Sequence, residues 1–117
     1  MIRRIESGAR MSQAVVAQGF VFLAGQVAAD TSRDVEGQTV QILGEIDRLL
    51  ALAGSSKQQI VSANVYLADI GDFAAMNRAW DRWVAADAKP ARATIEAALA
   101  APEYRVEIQV VAVAAGG

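Results

Sequence analysis

The sequence predicts an α+β fold, with a mixed β-sheet that carries two helices on one of its faces. Residues 34–53 and 72–88 repeat apolar side chains at the spacing of an amphipathic helix. Shorter runs before, between and after them are apolar and β-prone, and several alternate apolar with mixed residues at the period of a strand. Strands on both sides of two helices, without internal repeats, are typical of a single α+β domain.

The first elements are predicted to be three short strands. Residues 1–5 form the first, and residues 6–10 form a turn or loop. Two β-rich runs, residues 14–17 and 20–24, are separated by the turn pair Gln18-Gly19, which predicts a hairpin. Residues 26–33 are polar and are predicted to form an irregular loop.

The first helix is predicted between Asp34 and Ala53. Gly54 follows the last periodic residue, where a left-handed cap is easily adopted by glycine. The opposite face is charged and includes Glu45 and Arg48. The residues expected to face the core are Val35, Val40, Ile42, Leu43, Ile46, Leu49, Leu50 and Ala53.

The second half of the chain is predicted to be strand, helix, strand, strand. Residues 60–67 alternate so that one face, from Val61 to Leu67, is wholly apolar. Asp72 is expected to cap a helix that ends near Ala88, before Pro90. Residues 92–97 and 106–113 are the last strands. The helix residues assigned to the core are Phe73, Met76, Trp80, Trp83 and Val84.

Composition excludes several classes of function. The 117 residues fit one domain, 1–117, and the net charge of −2 comes from 11 basic and 13 acidic residues without a basic patch, so no nucleic-acid partner is expected. The chain has no cysteine and no histidine, which excludes thiol chemistry, histidine-dependent nucleophiles and His- or Cys-ligated metals. Apolar runs are far shorter than the roughly 20 residues of a membrane span. No membrane partner is expected, and without a signal-peptide pattern the expected compartment is the cytoplasm.

The apolar content also predicts an oligomer. Hydrophobic residues make up 54% of the chain, more than one small core is expected to cover. If both helices cover one face of the sheet, the other face is left bare. We expect that face to pack against another subunit.

Two charged residues are the first candidates for function because they lie in apolar, β-prone sequence. Arg92 and Glu107 are expected on neighbouring strands, where a charge needs a partner, a ligand or water. Taken alone, Arg92 is better explained as an arginine paired with Glu96 or Glu107, and Glu107 as a solvated or inter-subunit ion pair. Asp72 and Asn77 are expected to cap or orient the second helix.

Several segments resemble the RidA/YjgF family of reactive imine/enamine deaminases. They are Pro-Ala-Arg-Ala-Thr at residues 90–94, Pro102 followed by Val-Glu-Ile at 106–108, Ser-Gln-Ala-Val at 12–15, Ala-Gly-Gln at 24–26, and residues 72–77. The similarity extends over nearly the whole chain. Residues 9–10, 76–81 and 102–104 are most similar to the YoaB-like branch of the family.

The resemblance implies a chorismate-mutase-like fold and a homotrimer, with three sheets around a central barrel and ligand clefts between subunits. It also implies that Arg92 binds a substrate carboxylate, that Glu107 positions or activates water, and that main-chain groups near Gly25 and Thr94 hold the ligand. A guanidinium binds carboxylate bidentately, and imine hydrolysis needs only an oriented water and a proton acceptor. The expected partner is a small carboxylate-bearing metabolite, and no cofactor or metal is required.

Three substitutions distinguish this chain from the founding members. Met11 stands where they have a tyrosine, and Ala24 where they have a serine, so two ligand-contacting hydroxyls are absent and the pocket is expected to be more apolar. Each lost hydrogen bond is expected to weaken binding by about 1 kcal/mol. Gln109 replaces a second glutamate. Tyr66 and Tyr104 are further candidates for lining the cleft.

Two other functions remain open. One is a non-catalytic trimer that binds a small carboxylate or another metabolite in the same clefts. The other, which we favour least, is the endoribonuclease activity often attached to this family, because the chain is acidic and has no histidine to act as a general base.

Overall fold

The computed structural model describes residues 1–114, so the last three residues of the predicted domain lie outside it. The strands are β1 Arg3–Ser7, β2 Ser12–Ala17, β3 Phe20–Leu23, β4 Ile60–Leu67, β5 Ala91–Glu96 and β6 Val106–Val113. The helices are α1 Val35–Leu52 and α2 Phe73–Trp83, and two short 3-10 turns span Lys57–Gln59 and Ile70–Asp72. The predicted order of strands and helices is confirmed.

The six strands form one mixed sheet in the order β1-β2-β3-β6-β4-β5. Among the strands of the described residues, only β4 and β5 pair in parallel, because α2 carries the chain back over the sheet between them. The last strand, β6, enters the middle of the sheet between β3 and β4. The expectation that Arg92 and Glu107 lie on neighbouring strands is therefore wrong, since β4 separates β5 from β6.

The N-terminal hairpin has the predicted two-residue turn. Gln18 and Gly19 both have positive φ, 54° and 79°. That combination is typical of a type I′ turn, whose twist suits two paired antiparallel strands. The predicted first strand is present and pairs with β2 at the edge of the sheet, but it spans Arg3–Ser7 and so includes two residues of the predicted loop.

The first helix begins and ends where its sequence indicates. The Asp34 side chain accepts a hydrogen bond from the Gly37 amide (2.8 Å). At the other end Gly54 has φ 79°, and the Ser55 amide donates to the Leu50 carbonyl (2.8 Å), the pattern of a Schellman cap. One residue of this helix that was expected in the core is not buried. Val40 is 51% exposed, because it lies beyond the buried stripe that holds its neighbour Thr39.

Two other core assignments differ from the structure. A register shift between Ile60 and Ser62 turns Ile60 into the core and leaves Val61 exposed, so the apolar face of β4 is not formed by strict alternation. Phe73 is 44% exposed at the start of α2, whereas Met76 and Trp80 are buried as expected.

The start of α2 agrees with the prediction, but its expected cap and its end do not. The helix ends at Trp83, because Val84 has an extended ψ of 140° and Lys57 Nζ donates to the Trp83 carbonyl (2.7 Å). Asp72 makes no side-chain cap and instead accepts a hydrogen bond from Arg105 (3.0 Å). Asp69 caps the preceding 3-10 turn.

The hydrophobic core lies between the helices and one face of the sheet. Val106, Ile108 and Val110 of β6 point into it, and the alternate residues of β6 point away. On the opposite face, Phe20, Phe22 and Ile95 are between 43% and 51% exposed. The predicted arrangement of two helices on one face is confirmed, and the subunit interface on the other remains a prediction. No helix within residues 1–114 is long and apolar enough to cross a membrane.

Candidate functional site

The Arg92 side chain lies on the helix side of the sheet, at its free edge. Arg92 is in register with Ala63, a core residue of β4. Its Nη1 donates a hydrogen bond to Asn77 Oδ1 (2.8 Å). The guanidinium carbon lies 4.9 Å from the centre of the Trp80 ring and 5.8 Å from that of Phe73, within the range of cation–π attraction. The second helix therefore holds the guanidinium in place.

Within residues 1–114, Arg92 has no salt bridge to a carboxylate. Glu96, one of its expected partners, accepts a hydrogen bond from the Ile70 amide instead (3.0 Å). The expected pairing of Arg92 with Glu96 or Glu107 is thus wrong within one chain. Burial lowers the pKa of the Arg92 guanidinium, while the charge of Asp81 raises that pKa. The guanidinium nevertheless stays protonated at neutral pH, because arginine is the most basic side chain and is always charged in proteins.

Thr94 follows Arg92 by two residues in β5, so the two side chains face the same side of the sheet. Thr94 is in register with Val65 of β4. Its Oγ1 is buried, and it has no hydrogen-bond partner within the described residues. A buried hydroxyl of this kind lacks the hydrogen bond that such groups normally make. We call Phe73, Asn77, Trp80, Arg92 and Thr94 the Arg92 half-site.

Glu107 lies on the other side of the sheet, directly opposite Tyr66 of β4. Both side chains line an open cleft of about 340 Å³. The other lining residues are Gly25, Gln109 and residues 97–100, which follow β5. We call this set of residues the Glu107 cleft.

The backbone at Gly25 lies close to the Glu107 carboxylate. A Cβ atom at Gly25 would overlap Glu107 Oε2 and lie 2.9 Å from its carboxylate carbon. The main chain of Gln26 keeps Gly25 close to Glu107, because its N–H donates to the Ile108 carbonyl (2.9 Å) and its carbonyl accepts from the Ile108 N–H (3.1 Å). Gln26, predicted to belong to a loop over residues 26–33, thus forms a bridge that the sequence pattern does not predict, because a single paired residue has no periodicity.

Gln109 lies two residues from Glu107 on the same face. Both the nitrogen and the oxygen of its side-chain amide are hydrogen-bonded. Gln109 Nε2 donates to the carbonyls of Leu23 (3.1 Å) and Val110 (3.2 Å). Its Oε1 accepts from Asn64 Nδ2 (3.3 Å). This side chain therefore forms a fixed wall of the cleft.

The two substituted positions lie near the hairpin. Met11 is 58% exposed just before β2 and is not among the residues that line the Glu107 cleft. Ala24 directly precedes Gly25, and its amide donates to the Gln13 carbonyl (2.9 Å). Of the expected site residues, the structure thus brings together Gly25 and Glu107, whereas Ala24 is not among the residues that line the cleft.

Arg92 and Glu107 are far apart within one chain. Two strand spacings, about 10 Å, separate β5 from β6, and the register offset adds about 10 Å along the strands. Because the two side chains also leave opposite faces of the sheet, a small acid cannot contact both in one chain. Residues 1–114 contain no group of three or more acidic side chains placed to hold a metal ion.

Comparison with known proteins gives consistent results. Residues 1–114 match the family described as Endoribonuclease L-PSP. A RutC family protein of Haemophilus ducreyi is 47% identical over 96% of both chains, and the RutC family protein YoaB of Escherichia coli K12 is 43% identical over 95% of this chain and 96% of that protein. A crystal structure of a YjgF family member from Neisseria meningitidis has 46% identity and a TM-score of 0.97, covering 100% of this chain and 98% of that one.

Proposed function

The chain belongs to the RidA/YjgF family, the one matched as Endoribonuclease L-PSP, and on that premise we propose that it hydrolyses 2-imino and enamino acids to 2-oxo acids and ammonia. The observation that carries the proposal is the state of Arg92. A partly buried guanidinium is held by an amide and an aromatic ring, and no carboxylate of residues 1–114 forms a salt bridge with it. An unpaired buried charge is unfavourable unless a ligand satisfies it.

The shape of the available group suits a carboxylate. Only Nη1 of Arg92 bonds to Asn77, and a guanidinium carries five N–H donors in one plane. The remaining donors can bind both oxygens of a carboxylate at once. Thr94, whose hydroxyl has no described partner, lies on the same side and adds a polar group beside that position.

We infer that the second half of the site comes from another subunit. Arg92 lies at the free edge of the sheet, and Glu107 lies on the bare face. A homotrimer that buries the apolar bare face, including Phe20, Phe22 and Ile95, brings the edge of one chain to the cleft of the next. The substrate carboxylate then binds Arg92 of one subunit while the C=N carbon faces the Glu107 cleft of its neighbour.

The reaction in this site needs a water and a proton acceptor. Water adds its oxygen to the imine carbon, and Glu107 passes the released proton to the nitrogen, which gives a carbinolamine. When the C–N bond breaks, the hydroxyl proton goes to the nitrogen by the same route. Ammonia and a 2-oxo acid are the products, and Glu107 is regenerated.

The test measures loss of a 2-imino acid that an amino-acid oxidase generates in the assay. Arg92→Ala should lower kcat/KM about a hundredfold or more, because it removes the carboxylate anchor. Arg92→Lys should recover little of the rate, since lysine keeps the charge but not the planar fork. Arg33→Ala is the matched control, because Arg33 is an exposed arginine that pairs with Asp30.

Sedimentation and thermal unfolding should show that all three variants keep the assembly of the parent protein. Equal rates for the parent and Arg92→Ala, with the assembly intact, would refute the proposal.

A second candidate is a protein that binds a small carboxylate in the same cleft without turning it over. The observation that favours it is the absence of a hydroxyl at positions 11 and 24. Calorimetric binding of a 2-oxo acid that requires Arg92, together with no acceleration of imine loss, would support this candidate. We do not favour ribonuclease activity, because the chain has a net charge of −2 and no histidine.

A further inference from the structure

We propose that Tyr66 is a substrate-contacting residue whose hydroxyl donates a hydrogen bond to the nitrogen that leaves as ammonia. This inference rests on the proposed function and adds a residue to it. Tyr66 lies directly across from Glu107 on adjacent antiparallel strands, so the two side chains leave the same face a short distance apart. Both line the cleft that Gly25 opens.

Few of the side chains that line the cleft can donate a hydrogen bond to a ligand. A C=N nitrogen is a hydrogen-bond acceptor, and it gains negative charge as water adds to the carbon. Glu107, when ionised, only accepts hydrogen bonds. Both Nε2 hydrogens of Gln109 are directed at the carbonyls of Leu23 and Val110. Gly25, Ala97, Ala98, Leu99 and Ala100, the remaining lining residues of the described chain, have no side-chain donor.

Tyr66 is therefore the side-chain donor that this wall of the cleft offers. Its ring is half-buried on β4 beside Asn64 and Gln109, whose mutual hydrogen bond keeps the neighbouring surface in place. The Tyr66 phenol and the Glu107 carboxylate have different roles in the reaction. Glu107 moves the proton of the water, while Tyr66 donates a hydrogen bond to the nitrogen and keeps its own proton.

Tyr66 also provides a hydroxyl in a chain that has none at positions 11 and 24. Met11 and Ala24 supply no donor on the hairpin side, and Tyr66 supplies one from β4. The proposed site therefore still has a side-chain hydroxyl, which comes from β4.

The variant that tests this is Tyr66→Phe. Tyr104→Phe is the matched control, because Tyr104, the other tyrosine of the chain, is not among the residues that line the Glu107 cleft, contrary to expectation. Tyr66→Phe should lower kcat for imine hydrolysis between about tenfold and a hundredfold, with a smaller change in KM. Tyr104→Phe should leave kcat within about twofold. Thermal unfolding should show that both variants stay folded, because each change removes one oxygen from a side chain that is not fully buried.

A binding measurement separates the role of Tyr66 from that of Arg92. Pyruvate has an oxo oxygen where the substrate has its nitrogen, and propionate has neither. Tyr66→Phe should weaken binding of pyruvate about tenfold and leave binding of propionate unchanged. Arg92→Ala should weaken binding of both acids.

The outcomes distinguish the two claims. A rate that depends on Arg92 but is unchanged in Tyr66→Phe overturns the role of Tyr66 and leaves the proposed function intact. Weaker binding of propionate as well as pyruvate in Tyr66→Phe also overturns it, because it indicates a general effect on the cleft. A rate that depends on neither residue refutes the proposed function and this inference together.

Discussion

The Arg92 half-site and the Glu107 cleft differ in what surrounds their charges. Arg92 is held from one side by an amide and two aromatic rings, on an edge strand that packs against α2. Glu107 projects into an open cleft on the bare face of a central strand, against the backbone of Gly25. Each half presents one charge and lacks the opposite one. The difference supports the proposal that neither half is a complete site by itself and that a neighbouring subunit supplies the other half.

The largest expected effect comes from combining two chains that are each expected to be inactive alone. Arg92→Ala and Glu107→Ala chains carrying different tags are co-expressed, and trimers with both tags are purified. If each site uses Arg92 of one subunit and Glu107 of the next, every mixed trimer has one intact site, and activity should recover to about a third of the parent value. Mixed trimers as inactive as either single variant would show that both residues act within one chain.

The Glu107 cleft should be disrupted by adding one methyl group. Gly25→Ala places a Cβ where it overlaps Glu107 Oε2, so the carboxylate has to move, and kcat/KM should fall about a hundredfold. Gly44→Ala is the matched control, because a Cβ there meets no atom within 4 Å, and activity should not change. A normal rate in Gly25→Ala would mean that the position of Glu107 is not critical.

The Arg92 half-site should respond to changes at Asn77. Asn77→Ala removes the acceptor that holds Nη1, and KM should rise about tenfold with kcat less affected. Asn77→Asp should raise KM at least as much, because a carboxylate there pairs with Arg92 and competes with the substrate. Steady-state kinetics check both variants. A lower KM in Asn77→Asp would contradict the assigned role of Asn77.

Thr94 offers a smaller test of the same half-site. Thr94→Val replaces a buried hydroxyl that has no hydrogen-bond partner within residues 1–114 with a methyl group, so the free energy of unfolding should change by less than about 1 kcal/mol. If the hydroxyl contacts the ligand, the Kd for pyruvate should rise a few-fold. Calorimetry and chemical denaturation measure the two quantities. An unchanged Kd would limit the contribution of residue 94 to its main chain.

The smallest expected effect comes from an ion pair between the helices. Hydrogen bonds from Arg78, then from Arg82, lower the pKa of Glu36 below its ordinary value of 4.5. A carboxyl with a lowered pKa stabilises the folded state above its unfolded pKa, and the contribution is lost as pH falls through the folded pKa. Glu36→Gln should therefore slightly lower the thermal midpoint at neutral pH and have no effect well below pH 4. A difference that persists in acid would exclude this explanation.

The sequence alone determined the order and type of the secondary-structure elements, because these depend on local chemistry. The period of the apolar residues predicted α1, and Gly54 marked its end. Gln18-Gly19 predicted the hairpin. The family motifs around Arg92 and Glu107 identified the two residues on which the proposed function rests, although they could not show which groups surround them.

Tertiary structure decided how these elements and charges are arranged. The insertion of β6 between β3 and β4 separates Arg92 from Glu107, and no local pattern encodes strand order. The partner of Arg92 is Asn77, on a helix 15 residues away, and the reason is packing rather than sequence proximity. Tyr66 lies beside Glu107 because of the β4–β6 register. Pairings between distant segments depend on the geometry of the whole sheet, so they become visible only once the chain is folded.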